Sequence, residues 1–128
     1  MSPTPDLSVV VPTRDRPHLL DRVPGRALAD QDVDRPYEVV VVDDASHDAD
    51  AVATVVGRYD VARLLRGEGR GPAAARNRGA HETAGPVARF TDDDCRPGRG
   101  WLRSLGADAS TAGRRWSPAR RATAVRTT

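Results

Sequence analysis

A chain of 128 residues with 20 Arg, 18 acidic residues and a single cysteine has room for one domain, which excludes a two-lobed enzyme within this length. Lys is absent, so chemistry that needs a Schiff-base lysine or a phosphate-loop lysine is excluded as well. The formal charge of +2 originates at one end: residues 1–106 carry 15 Arg against 17 acids and residues 107–128 carry 5 Arg against Asp108 alone, and without aromatic interleaving beyond Trp116 that end does not read as a nucleic-acid binder.

The first apolar run, LSVVV at Leu7–Val11, is continuous valine with no polar alternation, which predicts a strand covered on both faces. Pro12 and Thr13 follow as a strand-ending turn. A helix is predicted from about Pro17, with Leu19, Leu20, Val23, Ala27 and Leu28 as its apolar face and a break at Pro24 and Gly25. The second run, YEVVVV at Tyr37–Val42, repeats the doubly covered strand pattern and ends in Asp43 and Asp44. Val52, Val55, Val56 and Tyr59 then fall at i, i+3, i+4 and i+7, a single helical stripe, with Ser46 or Asp48 as its cap.

A third run, VARLL at Val61–Leu65, precedes a helix predicted to start at Pro72 and to stop at Gly85, and a fourth, PVARF at Pro86–Phe90, precedes the acidic trio Asp92, Asp93 and Asp94. The order β-α-β-α-β-α-β predicts an α/β fold, a three-layer α/β/α sandwich around a mostly parallel sheet. From about Ala107 the apolar periodicity stops, and residues 107–128 read as a disordered tail following an incomplete domain over 1–106. A longer protein cut short or read out of frame would account for the abrupt end of the pattern.

No run approaches the length of a membrane span and the N-terminus has no charged segment ahead of an apolar core, so a soluble, cytoplasmic chain is expected. Cys95 has neither a disulfide partner nor a CxxC neighbour and reads as a small buried filler.

In a parallel sheet ligands bind beyond the carboxyl ends of the strands, where loops and helix N-termini converge. Two of the four strand ends here carry clustered carboxylates. Any one of Asp43, Asp44 or Asp92 could be a helix cap, but three adjacent carboxylates repel unless a divalent cation sits among them. Hard cations such as Mg2+ or Mn2+ prefer such oxygen donors and leave positions open for a diphosphate.

The segments VVVPTRDRPHLL, EVVVVDDASHD, GRGPAAARNRGAHETAG and FTDDDCRPGRGWL, in that order, resemble the N-terminal nucleotide-binding half of a GT-A fold glycosyltransferase of family 2 over roughly Asp6–Leu105. The resemblance implies a Rossmann-like half that binds a nucleotide-sugar, a UDP-sugar first among donors, and transfers the sugar with inversion to an acceptor hydroxyl with the aid of Mg2+ or Mn2+. It places Pro12 and Thr13 in a loop against the nucleotide, Asp43 as the acceptor for the pyrimidine ring, and Arg76 near the diphosphate. The family's DxD signature falls on Asp92 and Asp94, the first facing ribose or sugar and the last on the metal, with Asp93 an ambiguous third donor-site residue. Core packing is the expected role of Trp101.

The resemblance also exposes a gap. Attack by an acceptor hydroxyl needs a base, and of the acids only Asp108 follows the trio. The catalytic residue is therefore unassigned, and a non-catalytic nucleotide-diphosphate-binding fragment or interaction module stands as the alternative. A receiver domain would need a lysine, and an aspartate-nucleophile phosphatase would need DxDxT; neither requirement is met.

Overall fold

A computed structural model describes residues 5–84 and 87–104. Strand β1 is Leu7–Thr13, so Pro12 and Thr13, expected in a turn or loop, instead pair with Val42 and Asp43 as its last residues; helix α1, Pro17–Leu20, one π-type turn at Asp21–Gly25, and helix α2, Arg26–Ala29, follow. Strand β2 is Tyr37–Asp43, α3 is Ala49–Val56, β3 is Ala62–Arg66, α4 is Pro72–His81 and β4 is Val87–Phe90. All pairings are parallel, in the order β3-β2-β1-β4. The expected parallel α/β sheet is thus observed, with β1 and β2 at its centre.

The valine runs form the two central strands because both of their faces are covered. Leu7, Val9, Val11, Val39 and Val41 pack with Leu20, Leu28, Val52, Val55, Val56 and Leu102 in one core. Val10, Val40, Val42 and Phe90 pack with Ala75 and Ala80 of α4 in the other. Trp101 is partly buried against the first core, the role expected of it.

The predicted break in the first helix is the π-type turn. Pro24 lacks an N–H, so a regular α-helical ladder cannot pass through it, and one wider turn absorbs the misfit. Asp48 rather than Ser46 caps α3, its Oδ1 accepting from the Ala51 N–H at 3.0 Å. Helix α4 ends at His81, short of the expected Gly85, which lies outside the described residues. Just past its end the Ala84 N–H donates to Glu38 Oε2 at 2.6 Å, tying the chain to the amino end of β2. The disordered tail expected over 107–128 falls outside the described residues.

Glu38 is the main polar element at the amino end of the sheet. It is buried, and besides Ala84 it accepts from Ser8 Oγ at 2.7 Å and Arg63 Nε at 2.8 Å. Burial alone would raise its pKa, but the bonds from Arg63, Ser8 and Ala84 outweigh it and leave the carboxyl below its ordinary value. A group whose pKa is lowered by folding stabilises the fold above its unfolded value and loses that contribution as pH falls through the lowered one. Glu38→Gln is therefore expected to reduce the unfolding free energy by about 1–3 kcal/mol near neutral pH. The gap to wild type should close on acidification. Urea titrations across pH measure this, and a pH-independent gap would show that the carboxylate charge is not its source.

Candidate functional site

The register brings the strand ends into line. Thr13 lies opposite Asp43, which lies opposite Arg66. On the other side of β1, Val10 pairs with Phe90 and the Thr91 N–H donates to the Val10 carbonyl at 3.1 Å. The acidic trio therefore leaves the sheet beside Pro12 and Thr13. A cleft of about 450 Å3 opens at this edge, lined by Pro12, Thr13, the Arg14–Arg16 loop, Asp44, Gly71, Pro72, Arg76 and all three acids of the trio. That size is ordinary for a small-molecule site.

Of the residues singled out in the sequence, Pro12, Thr13, Arg76, Asp92, Asp93 and Asp94 line this cleft, whereas Asp43 does not. The Asp43 carboxylate is 1% exposed, accepts from the Ser46 N–H at 3.0 Å, and is closed off by an ion pair with Arg66. Its neighbour Asp44 is the residue on the cleft wall. Asp44 also braces the glycine loop between β3 and α4, accepting from the Gly69 N–H at 2.8 Å and the Gly71 N–H at 3.0 Å. Both glycines have positive φ, 77° and 101°, a conformation that L side chains rarely adopt. The sequence GEGRG carried this signal, and the motif reading passed over it.

The three acids of the trio have different surroundings. Asp93 turns inward, accepting from Thr13 Oγ1 at 3.0 Å and lying 3.5 Å from Arg16. Burial is the main cause of its raised pKa, with the Asp94 and Asp92 charges adding to it and Thr13 and Arg16 opposing. Asp92 is half-buried and pairs with Arg76 at 2.7 Å, while Asp94 is exposed. Asp92, Asp94 and Cys95 each offer one ligand atom within 4.8 Å of the others. Cys95 is thus no buried filler. It is half-buried, with its Sγ 3.7 Å from Asp94 Oδ1, because the Cys95 N–H closes a turn onto the Asp92 carbonyl at 3.2 Å.

Two observations bear on what could fill this end of the cleft. The carboxylates of Asp92 and Asp94 are a hard donor pair suited to Mg2+ or Mn2+. Arg76 Nε is buried without a hydrogen-bond partner among the described residues, an arrangement that costs free energy unless an acceptor arrives. A phosphate oxygen in the cleft would be such an acceptor, and guanidinium suits it.

The cleft mouth is tied by a clasp that the sequence did not announce. The Asp15 N–H donates to Ser46 Oγ at 2.8 Å, and Asp15 Oδ1 accepts from the His47 N–H at 2.8 Å with His47 Nδ1 at 3.1 Å. The His47 backbone bond, with help from its ring, lowers the Asp15 pKa. Asp15 and Ala45 both have positive φ, 57° and 63°. For alanine this is strained backbone, of a kind that persists where surrounding contacts fix it and that concentrates at binding sites.

Residues 8–114 match the family model described as Glycosyl transferase family 2. The chain is similar to validoxylamine A glucosyltransferase of Streptomyces hygroscopicus subsp. limoneus, with 36% identity over 107 residues that cover 81% of this chain and 24% of that protein. Among solved structures it resembles S. aureus TarS 1-349 in complex with UDP-GlcNAc, with a TM-score of 0.71 and 28% identity over 83% of this chain and 31% of that one. It also resembles the mannosyltransferase PcManGT from Pyrobaculum calidifontis in complex with GDP-Man and Mn2+, with a TM-score of 0.64 and 30% identity over 79% of this chain and 33% of that one. The chain spans about a fifth to a third of the length of the curated relatives it matches.

Proposed function

Because this chain belongs to glycosyl transferase family 2, we propose that its cleft binds the nucleotide-sugar donor and forms the donor half of a metal-dependent, inverting sugar transfer to an acceptor hydroxyl. The observation that carries this reading is the convergence of Arg76, Asp92 and Asp94 on one cleft that Asp44 also lines. Two strand spacings separate the ends of β2 and β4, about 10 Å, which suits a base at the Asp44 end and a diphosphate at the Arg76 end. Solved relatives bound to UDP-GlcNAc and to GDP-Man with Mn2+ support the donor class.

The residues take distinct parts in this proposal. Asp92 and Asp94 would hold a Mg2+ or Mn2+ ion, which when bound supplies charge neutralisation for a departing nucleoside diphosphate. Arg76 adds its unpaired Nε to the phosphate oxygens. Asp93 fixes the trio against Thr13 and Arg16, and the ribose or sugar lies against Asp92. Asp44, rather than the enclosed Asp43, faces the N–H of a pyrimidine base as a fixed acceptor. Asp43 holds the loop after β2 through Ser46 and Arg66.

The acceptor-activating base lies outside this set, since no carboxylate follows Asp94 among the described residues. This favours donor binding as the activity to assay first. Calorimetry with UDP and with GDP is expected to show binding in the presence of Mn2+ or Mg2+ and at least tenfold weaker binding in EDTA. No heat with either nucleotide in the presence of either metal would overturn the donor-site reading. No helix of the described residues is long and apolar enough to cross a membrane.

A further inference from the structure

The loop that carries the acidic trio has no regular secondary structure from Thr91 to Gly100, so its position depends on where it is tied. At its near end Asp92 is held by Arg76 at 2.7 Å and Asp93 by Thr13 at 3.0 Å. At its far end the side-chain tie is Gln31, in the segment between α2 and β2. Its Nε2 donates to the Ala27 carbonyl at 3.0 Å and to the Gly98 carbonyl at 2.7 Å, while its Oε1 accepts from the Leu102 N–H at 3.0 Å. Two carbonyls and one N–H fix the amide in a single orientation. Beside it the Asp32 N–H donates to the Arg99 carbonyl at 2.7 Å, and Leu102 is fully buried.

Only residues 94–97 separate the two ties, and they include Pro97, whose φ is fixed. So short a tether passes a shift at Gly98 directly to Asp94 and Cys95. We propose that Gln31 is a positioning residue for the donor site: by pinning Gly98 and Leu102 it sets how far the Asp92–Cys95 turn reaches into the cleft, and so the affinity for a metal–nucleotide pair. The inference rests on the donor-site reading above. It goes beyond that reading in assigning affinity to a side chain that does not line the cleft.

Gln31→Met keeps the length of the side chain and removes all three hydrogen bonds. At a temperature where both proteins are folded, the variant should bind Mn2+ with UDP or GDP about tenfold more weakly, the loss of one to two hydrogen bonds' worth of positioning. Cys95, the single thiol of the chain, should be alkylated about tenfold faster in the same variant, since it reports local opening of the loop. Wild-type affinity together with a wild-type labelling rate would overturn the proposal, even if the variant melts earlier.

Should Gln31→Met not fold, the wild-type protein tests the same coupling from the other side. Linkage is reciprocal, so adding Mn2+ and nucleotide should slow hydrogen exchange at the Leu102 amide as well as at Cys95. Bound nucleotide with unchanged Leu102 exchange would count against Gln31. If the wild type binds no nucleotide, the donor-site reading falls instead, and the labelling rates still decide whether Gln31 fixes the loop.

Discussion

Asn in place of Asp94 or Asp92 should lower the affinity for Mn2+ with UDP or GDP by about a hundredfold or more, because each change removes an anionic oxygen from the candidate ligand set. The two variants should differ in stability. Asp94 is exposed and its nearby charges are mainly like charges, so its loss should leave the melting temperature unchanged or slightly raised. Asp92→Asn removes the charge from the 2.7 Å pair with Arg76, in which the guanidinium is 19% and the carboxylate 41% exposed, and should cost about 1 kcal/mol. Calorimetric titration beside thermal unfolding separates the two effects. If both variants bind as tightly as wild type, the trio is not the metal site.

Gly79→Ala is the substitution expected to harm the fold most among small changes. A Cβ there would lie 2.4 Å from Val10 Cγ1 and 3.0 Å from Val42 Cγ2, and both valines are fully buried in the central strands. Helix propensity favours alanine by about 1 kcal/mol. Overpacking against side chains that cannot retreat costs about 3 kcal/mol or more, so the net loss should be near 2 kcal/mol and the melting midpoint should fall by roughly ten degrees. The glycine lets α4 sit close on the sheet, and that closeness sets where Arg76, one turn earlier, enters the cleft. A more stable Gly79→Ala variant would show that α4 stands farther from the sheet.

The sheet was legible in the sequence because its central strands are covered on both faces, and only uninterrupted valine satisfies two apolar layers at once. The α3 stripe was legible for the same kind of reason. The end of α4 was not, since the chain just past it is tied to Glu38, 46 positions from Ala84, and no local pattern announces a tertiary acceptor. The choice between Asp43 and Asp44 was equally hidden. Adjacent carboxylates at a strand end look alike, and only the pairing of β2 with β3 sets Asp43 against Arg66 and leaves Asp44 for the cleft. That the trio stands at a strand end was readable in the sequence, but the inward turn of Asp93 required the neighbouring strand end that supplies Thr13.

Every cation beside a cleft or strand-end carboxylate described above is a guanidinium: Arg76 on Asp92, Arg16 by Asp93, Arg66 on Asp43. Because no side chain anywhere in the sequence bears a primary amine, acylating dyes and aldehyde-activated supports have no lysine to modify near the acidic rim. Treatment with amine-reactive reagents should therefore leave the counter-charges of the cleft in place.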